Sequence, residues 1–247
     1  MAELGELSFD ILMAGLTQEQ VWAFPPFTAW MTDLHRYQEQ GCRIDSITVF
    51  GATMFGPKVG LLYVDAKVVD ITGKLVPLTD DKPNTLPCGG MLRGNAATVF
   101  FVLTSRETGK KSTILVNQER IHAHGKIDEL PAGVMNAGSF TGQAAREIEE
   151  ELGIKVTEEE LIALNPSDGV MPSCGGSNEA LQYFLVERTL ADKEIEALHD
   201  RTTGLAHEGE AIKTLVVALD PATLPTRDGK IWTALGLLRR ARPDLAL

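Results

Sequence analysis

The stretch LPAGVMNAGSFTGQAAREIEEELGI, residues 130–154, decides how this chain is read. It opens with Pro131 and Gly133, runs through small and flexible residues, and then sets Glu147, Glu149, Glu150 and Glu151 within five positions. An α-helix advances about 100° per residue, so with Ile148 at zero, Ala144, Ala145 and Leu152 fall within roughly 60° and form a narrow apolar stripe. On one flank lie Glu151 at about −60°, Glu147 at about −100° and Glu150 at about −160°; Glu149 lies opposite at about +100°. Three carboxylates can converge and one cannot.

Two readings of that run compete. Like charges three or four residues apart on an exposed helix cost only about 0.2–0.5 kcal/mol per pair, so a solvated acidic face needs no ligand. The preceding loop favours the alternative. Gly133 and a backbone carbonyl at Ala132 stand where a helix carboxylate can point, and three carboxylates with a carbonyl form a hard-oxygen set suited to Mg²⁺ or Mn²⁺. Arg146, just ahead of Glu147, is placed to tether the helix to the loop by charge pairing.

Working outward, the 247 residues are 44% hydrophobic and 23% charged, an ordinary globular composition. A net charge of −11 repels nucleic-acid backbones and anionic lipid, so an acidic protein that handles phosphates requires bridging cations. Cys42, Cys88 and Cys174 are far apart and odd in number, which reads as free thiols in a reducing compartment. The acidic start MAELGELSFD has no basic targeting segment, and no apolar run approaches the roughly 20 residues of a membrane span. A cytoplasmic protein is expected, with no nucleic-acid or membrane partner.

Thr28 is expected to cap a helix carrying Trp30, Met31, Leu34 and Tyr37 and stopped by Gly41, with Pro25-Pro26 separating it from a short helix over 18–24. β-rich runs follow, with a turn at Thr72-Gly73, and the Pro- and Gly-rich 79–95 reads as a linker. We therefore expect residues 1–92 as an N-terminal helical and β-rich region and 93–247 as a second domain. There, ATVFFVLTS and STILVNQER form a hairpin through RETGKK; strands over 180–188 and 211–219 and a final helix from DGKIWTALGLLRRARP complete a mixed α/β pattern.

The segment REIEEELGI after LPAG resembles the Nudix hydrolases, whose box reads G-x5-E-x7-R-E-U-x-E-E-x-G-U, U being a bulky aliphatic. Arg146, Glu147, Ile148, Glu150, Glu151, Gly153 and Ile154 match its second half without a gap. The first half departs: Ser139 stands at the glutamate position, and the interval from Gly133 to Arg146 is one residue short. LVNQERIHAHGKIDELPAG, MPSCGGSNEALQYFLVE and HEGEAIKTLVV extend the likeness to the ADP-sugar diphosphatases, the region before the box looking most like their plant-type members. Cys174 stands where the family usually has proline.

This resemblance implies an α/β/α sandwich with a mixed sheet, a smaller N-terminal α/β region that builds a homodimer, and hydrolysis of ADP-ribose or ADP-glucose to AMP and a sugar phosphate. It implies metal ligation by Glu147, Glu150, Glu151 and the Ala132 carbonyl, with Glu150 and Arg146 serving the catalytic helix. Arg120 is implied as a substrate contact, Glu179 as a ribose or metal-water contact, and Glu210 as general base with Glu208 its rival. Alternatives stay open: another nucleoside diphosphate derivative such as a UDP-sugar, or a nucleotide-sensing module, which Ser139 favours. His122 and His124 would face one way on a strand as a metal pair, or lie on an ordinary surface. Trp22 and Trp30 could stack an adenine or pack a core or dimer contact.

Overall fold

The computed structural model describes residues 9–39, 42–70, 89–134, 140–204, 212–225 and 227–245. The chain divides into two compact units: the described residues up to Asn95 with Ser173–Glu179, and the described residues of 96–172 and 180–247.

The first unit holds β1 (Phe9–Ile11), α1 (Gln18–Trp22), α2 (Pro25–Glu39), β2 (Cys42–Phe55), β3 (Lys58–Asp70) and β4 (Gly90–Leu92). Its sheet runs β1-β2-β3-β4, with β1 parallel to β2 and the other pairs antiparallel. Thr17 caps α1 in a reciprocal box with Gln20. The expected cap at Thr28 is corrected: α2 begins at Pro25, and the Thr28 hydroxyl donates to the Trp22 carbonyl at 3.0 Å. Both prolines fit the first turn because its N–H groups have no intrahelical acceptor. Trp22 and Trp30 pack on Phe27 at ring separations of 5.3 and 6.0 Å, Phe27 lying in the core of this unit, Trp30 partly buried against it and Trp22 exposed at its edge. The stretch read as a linker contributes β4, while its residues 79–88, the Thr72-Gly73 turn and the Gly41 stop lie outside the described residues.

The second unit is an α/β/α sandwich with a mixed sheet. Its strands are β5 (Ala96–Ser105), β6 (Lys111–Arg120), β7 (Gly125–Glu129), β8 (Ala132–Val134), β9 (Ile162–Ala163), β10 (Leu181–Leu190), β11 (Thr202–Thr203) and β12 (Ile212–Ala218); its helices are α3 (Phe140–Leu152), α4 (Asp192–Glu196) and α5 (Gly229–Ala241). The order is β11-β12-β6-β5-β10-β9, with β5 and β10 parallel. β5 is apolar along nearly its whole length because both faces are covered. Phe100 and Val102 pack with Ile231, Ala234, Leu235 and Leu238 of α5, while Val99, Phe101 and Leu103 pack with Ile148 and Leu152 of α3.

One irregularity in this sheet positions the loop that leads toward α3. β5 and β6 pair only near their hairpin, Leu103 with Ser112 and Thr104 with Lys111. Beyond it β5 takes β8 and β6 takes β7. The crossing from β7 to β8, Glu129 through Ala132, therefore lies where the two central strands part.

Candidate active site

Local sequence explains why α3 forms and how it sits. Burying Ile148 and Leu152, 2% and 0% exposed, stabilises the docked helix by about 1.5–3 kcal/mol per side chain. That exceeds the repulsion among its glutamates, so core packing decides the helix. Gly153 ends it at φ 62°, in the left-handed region that favours glycine at a helix C-terminus.

The orientation follows the helical periodicity. Glu149 and Glu150 are exposed, and Glu149 pairs with Lys155 at 3.7 Å. Glu151 is buried at 7% exposure, and its Oε2 accepts the Ala132 N–H at 3.2 Å. The acidic helix and the β7–β8 crossing thus meet at Glu151 and Ala132. The crossing is itself held: the Pro131 carbonyl accepts the Thr98 hydroxyl at 2.9 Å, and the Leu130 N–H donates to Asp228 Oδ2 at 2.9 Å. In the same last turn of α3, the Glu151 carbonyl accepts the Thr203 hydroxyl and the Glu150 carbonyl accepts the Gly204 N–H at 3.3 Å.

A second cluster flanks the crossing. Arg120 Nε donates to Glu129 Oε1 at 2.7 Å, and Lys230 Nζ lies 2.9 Å from Glu129 Oε2 and 3.1 Å from Asp228 Oδ1. Burial pushes the Glu129 carboxyl up, but the charges and hydrogen bonds of Lys230 and Arg120 outweigh it and hold the group below the usual carboxylate range.

Of the residues singled out in the sequence, the structure brings together Ala132 with Glu151, and it places Arg120 on Glu129. The contact at Ala132 is made by its N–H. Arg146 and Glu147 belong to α3, but their side chains lie outside what is described, as do Ser139, Glu208 and Glu210. Glu179 belongs to the first unit, 3.2 Å from Arg93. The strand reading of His122 and His124 is corrected: residues 121–123 form a tight 3-10 turn, His124 is left-handed at φ 64°, and both imidazoles are exposed. Cys174 is a free, exposed thiol. Among the described residues no three His, Cys, Asp or Glu side chains form a metal-type cluster.

Sequence reasoning missed Glu129, Asp228, Lys230 and Thr203 as structural contributors. Asp228 had a legible signal, a capping aspartate before an apolar helix. Thr203 had none, because its acceptor lies 52 residues away.

Glu150 and Glu151 present carboxylate oxygens, the hard donor type that Mg²⁺ and Mn²⁺ take, on a helix bonded to the crossing loop. The second unit thus carries an acidic helix bonded to a Pro-Ala-Gly crossing within a layered α/β/α core. A family model of the NUDIX domain matches residues 93–228, more than half of the 247-residue chain. The chain belongs to the Nudix family of hydrolases. It is 31% identical over 235 residues to "Nudix hydrolase 14, chloroplastic" of Arabidopsis thaliana, covering 88% of this chain and 71% of that protein. It is also similar to a solved structure titled "Crystal structure of ADP compounds hydrolase", with a TM-score of 0.53 at 14% identity, covering 84% of this chain and 97% of that one, a likeness of fold. The compartment in the plant relative's name differs from the cytoplasmic expectation. No helix among the described residues is long and apolar enough to cross a membrane.

Proposed function

We propose that this chain is a metal-dependent ADP-sugar diphosphatase, hydrolysing ADP-ribose or ADP-glucose to AMP and a sugar phosphate. The observation that carries the reading is the bond from the Ala132 N–H to Glu151, which sets the acidic edge of α3 against the crossing loop. The likeness of the segments around the box to the ADP-sugar diphosphatases, and the name of the ADP compounds hydrolase of similar fold, support the substrate class.

In this reading Glu147, Glu150 and Glu151, with the Ala132 carbonyl, hold Mg²⁺ or Mn²⁺, and Arg146 tethers the helix to the loop. The bound cation supplies charge neutralisation of the diphosphate and a more acidic attacking water. Arg120 binds an anionic group of the substrate, Glu179 contacts ribose or an ordered water, and Glu210 takes the proton from the attacking water. Residues 1–92 serve dimerisation and 93–247 the chemistry. Sedimentation of the full chain as a monomer would remove the dimer from this account.

The test is nucleoside monophosphate release, AMP from ADP-ribose and ADP-glucose and UMP from a panel of UDP-sugars, ranked by kcat/KM, with Mg²⁺, with Mn²⁺ and after chelation. Release of AMP from the ADP-sugars, lost on chelation and restored by metal, is expected. No AMP with either metal sinks the assignment, and a higher kcat/KM on UDP-sugars moves it to another nucleotide.

A further inference from the structure

The cluster Arg120–Glu129–Lys230–Asp228 is more than a surface ion pair. The side chains of Glu129, Lys230 and Asp228 are 9%, 18% and 7% exposed, whereas that of Arg120 is 45% exposed. A half-open cation thus stands on a buried charged scaffold. Its contact to Glu129 uses Nε, which leaves the terminal nitrogens as a planar fork suited to phosphate.

Glu129 alone would spend its charge on Arg120 and weaken the attraction for an incoming anion. Lys230 takes the other Glu129 oxygen at 2.9 Å and offsets that charge. Lys230 is in turn fixed at the start of α5 beside Asp228, whose Oδ1 accepts the Lys230 N–H at 2.9 Å. The segment before α5 is also pinned, Arg227 donating to the Ala123 carbonyl at 2.7 Å.

We propose that Lys230 and Asp228 are positioning residues that act through Glu129 to hold Arg120 oriented and electrostatically available for the diphosphate of a nucleotide. The inference rests on the proposed function only in taking Arg120 as a diphosphate contact. It adds a device built by the C-terminal helix, distant in sequence from the Nudix box.

The experiment measures ADP affinity by calorimetry with Mn²⁺ on the full chain, using protein shown to be folded at the assay temperature. R120A is expected to weaken ADP by about tenfold or more, the scale of one charge-assisted contact. K230M should weaken it by about fivefold, with K230R close to wild type, while K230M in the R120A background adds nothing, as coupled residues require. D228N should follow K230M in direction. Three results overturn the inference: wild type that does not bind ADP, K230M that binds it as wild type does, or a K230M effect that persists undiminished without Arg120. If K230M does not fold, the comparison of K230R and D228N with R120A decides by the same criterion. Wild type that binds ADP but releases no AMP from ADP-sugars sinks the proposed function and leaves this inference standing.

Discussion

Glu129 is a buried carboxylate that two cations compete to neutralise, and its ionisation is coupled to folding. Arg120 and Lys230 face it directly, with Asp228 behind Lys230, and their combined effect lowers its pKa from the ordinary 4.5 despite burial. A carboxyl with a depressed folded-state pKa contributes stability that is complete above its unfolded-state value and is lost as pH falls through the folded one. E129Q cannot titrate. Its melting temperature should therefore fall below that of wild type at neutral pH, and the gap should narrow well below pH 4.5. Thermal unfolding at both pH values checks this, and a constant gap contradicts the linkage. Arg242, between Glu187 and Asp244, has its pKa raised further above an already high value, so it stays charged throughout that range.

Helix α3 shows how one element separates packing from chemistry. Its apolar stripe is spent on the sheet, and Glu151 sits at the border where the stripe meets the crossing loop. Thr203 of β11 and the following Gly204 hold the same turn by bonding the Glu151 and Glu150 carbonyls. The C-terminal turn of α3 is thus held through both side chain and backbone, the condition for a site to hold its geometry. The helix carries its own control. E147Q should cut AMP release by about a hundredfold or more, the scale of losing one group that stabilises transition-state charge. E149Q should leave release within about twofold, because its exposed pair with Lys155 is worth only about 0–1 kcal/mol. AMP release by E147Q equal to that of wild type would remove Glu147 from the proposed ligand set.

At the scale of the whole molecule, the division of the chain is not a single cut. Ser173–Glu179 returns to the first unit, where the Met91 N–H donates to the Gly176 carbonyl and Asn178 Oδ1 accepts the N–H groups of Arg93 and Gly94. N178A removes that shared acceptor. The full chain should lose about 1–3 kcal/mol of stability, the cost of leaving a partly buried donor unmade. Amide exchange should quicken at Arg93 and Gly94 while β5 stays protected. Unchanged exchange at those two amides would show that the Asn178 bonds do not hold the segment.

Local pattern made much of this legible. The RETGKK turn and its flanking β-branched runs specified the β5–β6 hairpin, and the spacing of Ile231, Ala234, Leu235 and Leu238 specified the buried face of α5. The two prolines misled because a proline's meaning depends on whether a helix starts at it or ends before it, and packing against the core settles which. The acidic run with its apolar stripe fixed the orientation of α3 from the sequence alone, since 3.6-residue periodicity is a property of the backbone. Only the tertiary structure could place Glu129 against Lys230, 101 residues on, or Asp228 against Leu130, 98 residues back. Those contacts arise from the parting of β5 and β6 and the docking of the last helix, and no local periodicity encodes a meeting between segments so far apart in the chain.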